Sequence, residues 1–236
     1  MKVAVTHRPP ERAQSPGEPR LPAAVAVLVA AALYAALPDT LIFGSRIIVP
    51  ALELVFFVPV LAANPRRMTR DSRLLRSLSI ALILLIAVTN AAALALLVRA
   101  MVTGTATSGK ALLLAAGQVW ATNIIIFALT YWELDRGGPV RRTQAPEHEL
   151  PPADFRFPQD EDHDAIREVA ARSSAHSGWT PGFIDYLYVS ITNSSAFSPT
   201  DTMPLSPRAK LLMATESVSA LLLSVLAISR GVSLLN

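Results

Sequence analysis

An all-α integral membrane fold, with about five transmembrane helices and one half-length re-entrant helix, is what this sequence predicts. Three observations predict it. Hydrophobic residues make up 52% of the 236 and charged residues only 17%, with a mean hydropathy of +0.41, whereas soluble domains carry about 25% charge. The apolar residues are gathered into blocks about as long as a bilayer is thick. Lys and Arg crowd some of the connecting loops and spare others, the pattern that orients membrane helices. Cysteine is absent, which excludes disulfides, thiolate zinc sites and cysteine nucleophiles together. The net charge of +3 and pI near 9.6 are accounted for by those loops, so no nucleic-acid partner is expected. Arg greatly outnumbers Lys, as in chains from GC-rich bacterial genomes.

Residues 1–20 are polar, basic and rich in proline, and they read as a disordered tail. The first apolar block, 21–37, stops at Pro38-Asp39. Its basic front and small-residue end also fit a cleaved signal peptide. A second block follows after only a short turn, which favours a retained hairpin. That block, 47–63, contains Pro50, Pro59 and Glu53, and its prolines predict a break. The loop 64–76 holds five arginines. Block three covers 78–102, with Arg99 near its end where a long stem snorkels to the interface. Block four covers 111–132 and places Tyr131 and Trp132 where an aromatic belt belongs. Residues 21–132 thus form a four-helix transmembrane region.

Residues 133–180 are hydrophilic, with prolines, a Gly137-Gly138 pair, an acidic run and three histidines. They read as a cytoplasmic loop in which 164–175 forms a short surface helix and no core is visible. Thr180-Pro181 is a helix start signal. The ten residues 183–192 extend about 15 Å as a helix, half a membrane. A Ser/Pro-rich break follows, and 207–235 is long enough to span with tilt. Residues 181–236 therefore make one unit of re-entrant helix, loop and closing helix. By alternation, four basic residues of the tail, five of the arginine loop, six of 133–180, and Arg208 with Lys210 share one side. Arg46, Arg99, Lys110 and Arg230 take the other. The positive-inside rule then predicts a multi-pass protein of a bacterial inner membrane with a cytoplasmic N-terminus.

The stretch YVSITNSSAFSPTDTMPLSPRAKLL, residues 188–212, resembles without a gap the pore helix, filter and inner-helix start of two-helix potassium channels. Tyr188, Ser190, Asp201, Pro204, Pro207, Leu211 and Leu212 keep that pattern, Lys210 stands for its arginine, and Glu216 falls where many inner helices carry a glutamate. The whole chain resembles a family of bacterial multi-pass membrane proteins without an assigned activity. Its members share the hairpin, an arginine-rich loop, two further helices, a Phe-Pro loop and a closing helix. They also share a D-Y-x-x-Y segment. Members carry histidines in the fourth helix where this chain has Asn123 and Thr130, which weakens a proton or metal role there.

The filter departs from the channel pattern. Ser198 and Thr200 replace both glycines, and Pro199 fixes φ and removes an N–H. A potassium-selective ladder of carbonyls is therefore not expected. Channels of that class place the filter outside, whereas the charge count puts this loop inside. The half-helix still aims the negative end of its dipole at a wet vestibule, for which Thr192, Ser194, Ser195 and Ser198 offer hydroxyls and Asp201 a carboxylate. The pore-loop candidates are thus Thr192, Ser195, Ser198, Pro199, Thr200 and Asp201.

Glu53 and Glu216 are the intramembrane carboxylates, and an ionisable group there is a functional hypothesis by default. Glu53 either pairs with Arg46 or sits protonated between helices. Asn90, Asn123 and Gln118 read as interhelical hydrogen bonds. The run 160–164 lacks the spacing and glycine of an EF-hand loop and reads as solvated. His148, His163 and His176 are too scattered for zinc. With no Walker A, GxGxxG, GxSxG or HExxH motif, neither an enzyme nor a cofactor is expected. The expected function is a membrane protein with a degenerate pore-loop that passes a cation or small solute with weak selectivity. The alternative is a non-conducting scaffold or partner subunit. The bilayer is the expected partner, and a pore needs a homo-oligomer, since each chain supplies one pore-loop.

Overall fold

The computed structural model describes residues 16–104, 109–161, 171–195 and 201–233. They are mostly helical. The hairpin helices α1 (Leu21–Ala35) and α2 (Ile48–Ala63) are apolar but short, while α3 (Arg73–Thr103), α4 (Gly109–Leu134) and α7 (Pro207–Ser233) include the three stretches long and apolar enough to cross a membrane. Between α4 and α7 come α5 (Pro139–Gln144) and the half-length α6 (Phe183–Ser195). Ser72 caps α3 by accepting the Leu75 N–H at 3.1 Å, and Gly104 ends it at φ 65°. The predicted break in α2 does not occur. Pro50 falls in the first turn, where its missing N–H removes no bond, and Pro59 rides inside a continuous helix. In apolar surroundings any non-helical alternative leaves more backbone groups unpaired than one proline does.

The central helix is α4, which packs against α1, α3, α6 and α7. Large apolar side chains stay exposed on the outer helices, among them Leu28 on α1, Val55 on α2, Val88 on α3 and Val225 on α7. A bundle apolar on its outside as well as its inside is solvated by lipid, so with its three long apolar helices the chain is a membrane protein.

Two small antiparallel ladders close one end. β1 (Glu18–Pro19) pairs with β2 (Arg67–Met68), and β3 (Phe155–Arg156) with β4 (Met203–Pro204). The first ladder shortens the predicted tail. Glu18 and Arg20 are 7% and 6% exposed, because Glu18 supplies acceptors that buried groups of α4, α5 and α6 require. The acceptance is specific: Trp132 Nε1 donates to Glu18 Oε1 at 2.8 Å, Phe183 N to the same oxygen at 2.6 Å, and Arg142 Nη2 to Glu18 Oε2 at 3.0 Å.

The hydrophilic stretch after α4 does have a core. Phe155 and Phe157 are buried, tilted against each other at 6.4 Å, and they meet Tyr131, Tyr186 and Trp179 edge-on at 5.0 to 6.1 Å between ring centroids. Of the predicted helix at 164–175, residues 164–170 lie outside the described residues, and a single turn spans Ser174–Ser177. Nor do Tyr131 and Trp132 form a belt. They are 0% and 2% exposed, because the phenol and the indole N–H each reach a buried carboxylate.

Candidate functional site

Two apolar clusters fill the bundle, and a polar layer separates them. One cluster includes Ala30, Phe57, Ile86, Ile125 and Ala209; the other includes Tyr34, Val49, Ala93, Val119 and Leu223. On α2, α3, α4 and α7, buried polar groups fall between the two. Glu53 lies between Val49 and Phe57, Thr89 and Asn90 between Ile86 and Ala93, Thr122 and Asn123 between Val119 and Ile125, and Glu216 between Ala209 and Leu223. Helix register therefore brings two carboxyl groups and two carboxamides to similar depths, about half-way along the apolar helices.

The carboxyl of Glu216 is 0% exposed and fully partnered. Its Oε2 accepts from Tyr131 Oη at 2.6 Å and from Asn193 Nδ2 at 2.6 Å. Its Oε1 meets Ser194 Oγ at 2.9 Å and also Ser190 Oγ. The residues Ser190, Asn193 and Ser194 recur at the three- and four-residue spacing that puts them on one face of α6. Asn193 further donates to the Met213 carbonyl at 2.9 Å and accepts from Ser217 Oγ at 2.9 Å. Glu216 thereby ties α4, α6 and α7 together.

Glu53 is the opposite case. It is 1% exposed, and neither carboxyl oxygen has a hydrogen-bond partner. The expected pairing with Arg46 is absent. That guanidinium turns away to the carbonyls of Ala35 and Leu37 and to Asp39 Oδ1 at 2.8 Å, all of them in or beside the turn between α1 and α2. On α4, Asn123 Nδ2 is likewise buried and unpartnered. Of the three amides expected to bridge helices, Gln118 does so, donating to the Ala36 carbonyl at 3.3 Å.

The pore-loop candidates are not drawn together. Thr192 Oγ1 bonds back to the Tyr188 carbonyl at 2.9 Å and Ser195 Oγ to the Thr192 carbonyl at 3.3 Å, so both hydroxyls serve their own helix. Asp201 is exposed. Ser198, Pro199 and Thr200 lie outside the described residues.

A second polar centre, unforeseen from the sequence, sits at the ladder end. Asp135 is 0% exposed; its Oδ2 accepts from Tyr186 Oη at 2.5 Å and its Oδ1 from the Asp154 N–H at 2.7 Å. Asp154 in turn takes a two-pronged contact from Arg208, with Nε at 2.7 Å from Oδ1 and Nη2 at 2.5 Å from Oδ2. Arg136 pairs with Asp160 at 2.6 Å, which removes that residue from the solvated acidic run. Chain reversal here needs three left-handed residues in succession, Arg136 at φ 51°, Gly137 at φ 80° and Gly138 at φ 94°. Among the described residues no group of three His, Asp or Glu is placed to hold a metal ion. No family model, curated protein or solved structure matches the chain.

Proposed function

We propose that the chain is a five-span protein of a bacterial inner membrane, with α6 re-entrant, that lets a monovalent cation, protons included, cross with weak selectivity. The observation that carries this reading is the unpartnered carboxyl of Glu53, sealed within a polar layer between two apolar clusters. A bare carboxylate in such surroundings is far too costly to persist, so the group is neutralised by a proton or a cation. Likeness of residues 188–212 to a channel pore-loop supports the same class of function. The filter hydroxyls do not, since those of Thr192 and Ser195 are spent on backbone carbonyls. Purified protein in liposomes is expected to pass sodium and potassium at comparable rates. That flux is lost in Glu53→Gln and kept in Asp201→Asn. Strong preference for potassium, or loss in Asp201→Asn alone, returns the path to the filter.

A scaffold is the second reading, and Glu216 favours it. A carboxyl holding one pore-helix face against two neighbours fixes α6 in place, as a structural strut requires. Absence of any ion flux from the oligomer decides for the scaffold.

Orientation is tested separately. The chain has no cysteine, so single substitutions report without background. Cysteines at Ser72 and Ala153 are expected to resist a membrane-impermeant thiol reagent in intact cells, and one at Thr107 to react. Labelling at Ala153 without labelling at Thr107 inverts the topology.

A further inference from the structure

The arginine loop has a shape that charge counting alone does not foresee. Asp71, Ser72, Arg73, Arg76 and Arg141 line a cleft of about 450 Å³. A smaller cavity of about 40 Å³ adjoins it, sharing Asp71, Arg76 and Arg141 and adding Arg20, Arg70 and Glu133. Five arginines and two acidic residues therefore line one recess, which is net positive.

Few of those cations are hydrogen-bonded. Among the described residues the side chains of Arg70, Arg73 and Arg76 make no hydrogen bond or ion pair, and Arg141 has only a long contact of 3.4 Å to the Glu149 carbonyl. Arg20 is 6% exposed, its Nη1 rests on the Met68 sulfur at 3.4 Å, and its Nε is buried with no partner at all. Burial pulls the Arg20 guanidinium below its usual pKa, and the Glu133 and Glu18 carboxylates pull it back. An unpartnered buried donor beside a cationic cleft calls for an acceptor from outside the chain.

The surroundings indicate which acceptor. The recess lies where the apolar stretches of α2, α3 and α4 end, and Val60, Leu75 and Val140 share its lining with the arginines. Headgroup phosphates of a bilayer sit at that depth, with glycerol and acyl carbons just below. We propose that this cleft binds the phosphate of an anionic phospholipid, with Arg70, Arg76 and Arg141 around the phosphate oxygens, Arg20 beneath them, and the lipid's carbons against Val60 and Leu75. Glu133 is the countercharge that allows Arg20 to be buried, and it sets an upper limit on the affinity for the anion.

Native mass spectrometry of the delipidated full chain, titrated with phosphatidylglycerol and with phosphatidylcholine of the same acyl chains, tests this. Phosphatidylglycerol is expected to bind at least tenfold tighter. Each of Arg70→Gln and Arg76→Gln weakens it about fivefold, as the loss of one interfacial charge predicts, while Lys110→Gln at the far end of α4 changes nothing. Arg70 is exposed and unpaired, so its variant tests binding and not folding. Glu133→Gln tightens binding, a response that a merely structural role does not give. Equal affinity for the two lipids, or unchanged affinity in the Arg70→Gln/Arg76→Gln variant, overturns the proposal. Thermal stabilisation by inorganic phosphate without retention of phosphatidylglycerol overturns the lipid as the source.

Discussion

Replacing Arg142 with alanine is expected to lower the unfolding free energy in detergent by about 3–5 kcal/mol, as removal of one partner from a buried ion pair does. Arg142 and Glu18 are 1% and 7% exposed and 3.0 Å apart. The guanidinium also donates to the Trp132 carbonyl at 2.7 Å and lies over the Tyr186 ring, 5.0 Å from its centroid. Without Arg142, the Glu18 carboxylate stays buried without its ion-pair partner, and it cannot leave because Trp132 Nε1 and Phe183 N both depend on it. The double variant Glu18→Gln/Arg142→Met removes both charges and keeps an amide oxygen for those two donors. It should therefore regain at least half of the loss, a coupling that two independent sites do not show. A loss of less than about 1 kcal/mol for Arg142→Ala would place the pair among solvent-screened contacts.

That pair also marks where the sequence stopped being informative. The long helices α3, α4 and α7 are legible because each holds a predominantly apolar stretch about as long as a bilayer is thick, which leaves few alternatives. Glu18 is not legible: its own neighbours are Gly17 and Pro19 in a basic, proline-rich stretch, and its importance comes from Arg142, 124 positions away. The same holds for Phe155 and Phe157. Each is a lone aromatic in a polar segment, and the core they build is supplied one ring at a time by α4 and α6. Local composition reports local solvation and is blind to such pairings. Tyr131 and Trp132 read as interfacial from the sequence for the same reason, since an aromatic belt and a buried aromatic with a satisfied polar tip have the same local sequence. Glu216 and Glu53 show a finer limit. Both stand out in the sequence as carboxylates within apolar blocks, but only tertiary contacts reveal that one is fully partnered and the other is not.

The difference between Gln and Leu at position 216 is the second large effect. Hydrogen counting around that carboxyl predicts it. Ser190 Oγ lies within hydrogen-bonding reach of two acceptors, the Ile124 carbonyl at 2.8 Å and Glu216 Oε1. A hydroxyl has one hydrogen and serves only one of them. If it goes to Ile124, the contact with Glu216 is favourable only when Oε1 carries a hydrogen and donates it to Ser190. Tyr131, Asn193 and Ser194 then remain as donors to the acid, and no lone pair is left facing another. Glutamine keeps most of this arrangement: its oxygen takes the Oε2 position with two donors, and its amide nitrogen donates to Ser190 and, once that hydroxyl turns round to accept, to Ser194. Glu216→Gln should therefore cost less than about 1 kcal/mol, while Glu216→Leu orphans the Tyr131 and Asn193 donors and should cost about 3 kcal/mol or more. Unfolding in detergent measures both. If Gln is as damaging as Leu, the site requires a carboxylate, and the hydrogen of Ser190 belongs to Glu216 instead of Ile124. If Gln is neutral, the group that holds α6 between α4 and α7 is an uncharged acid, and burying it in the bilayer needs no counter-ion.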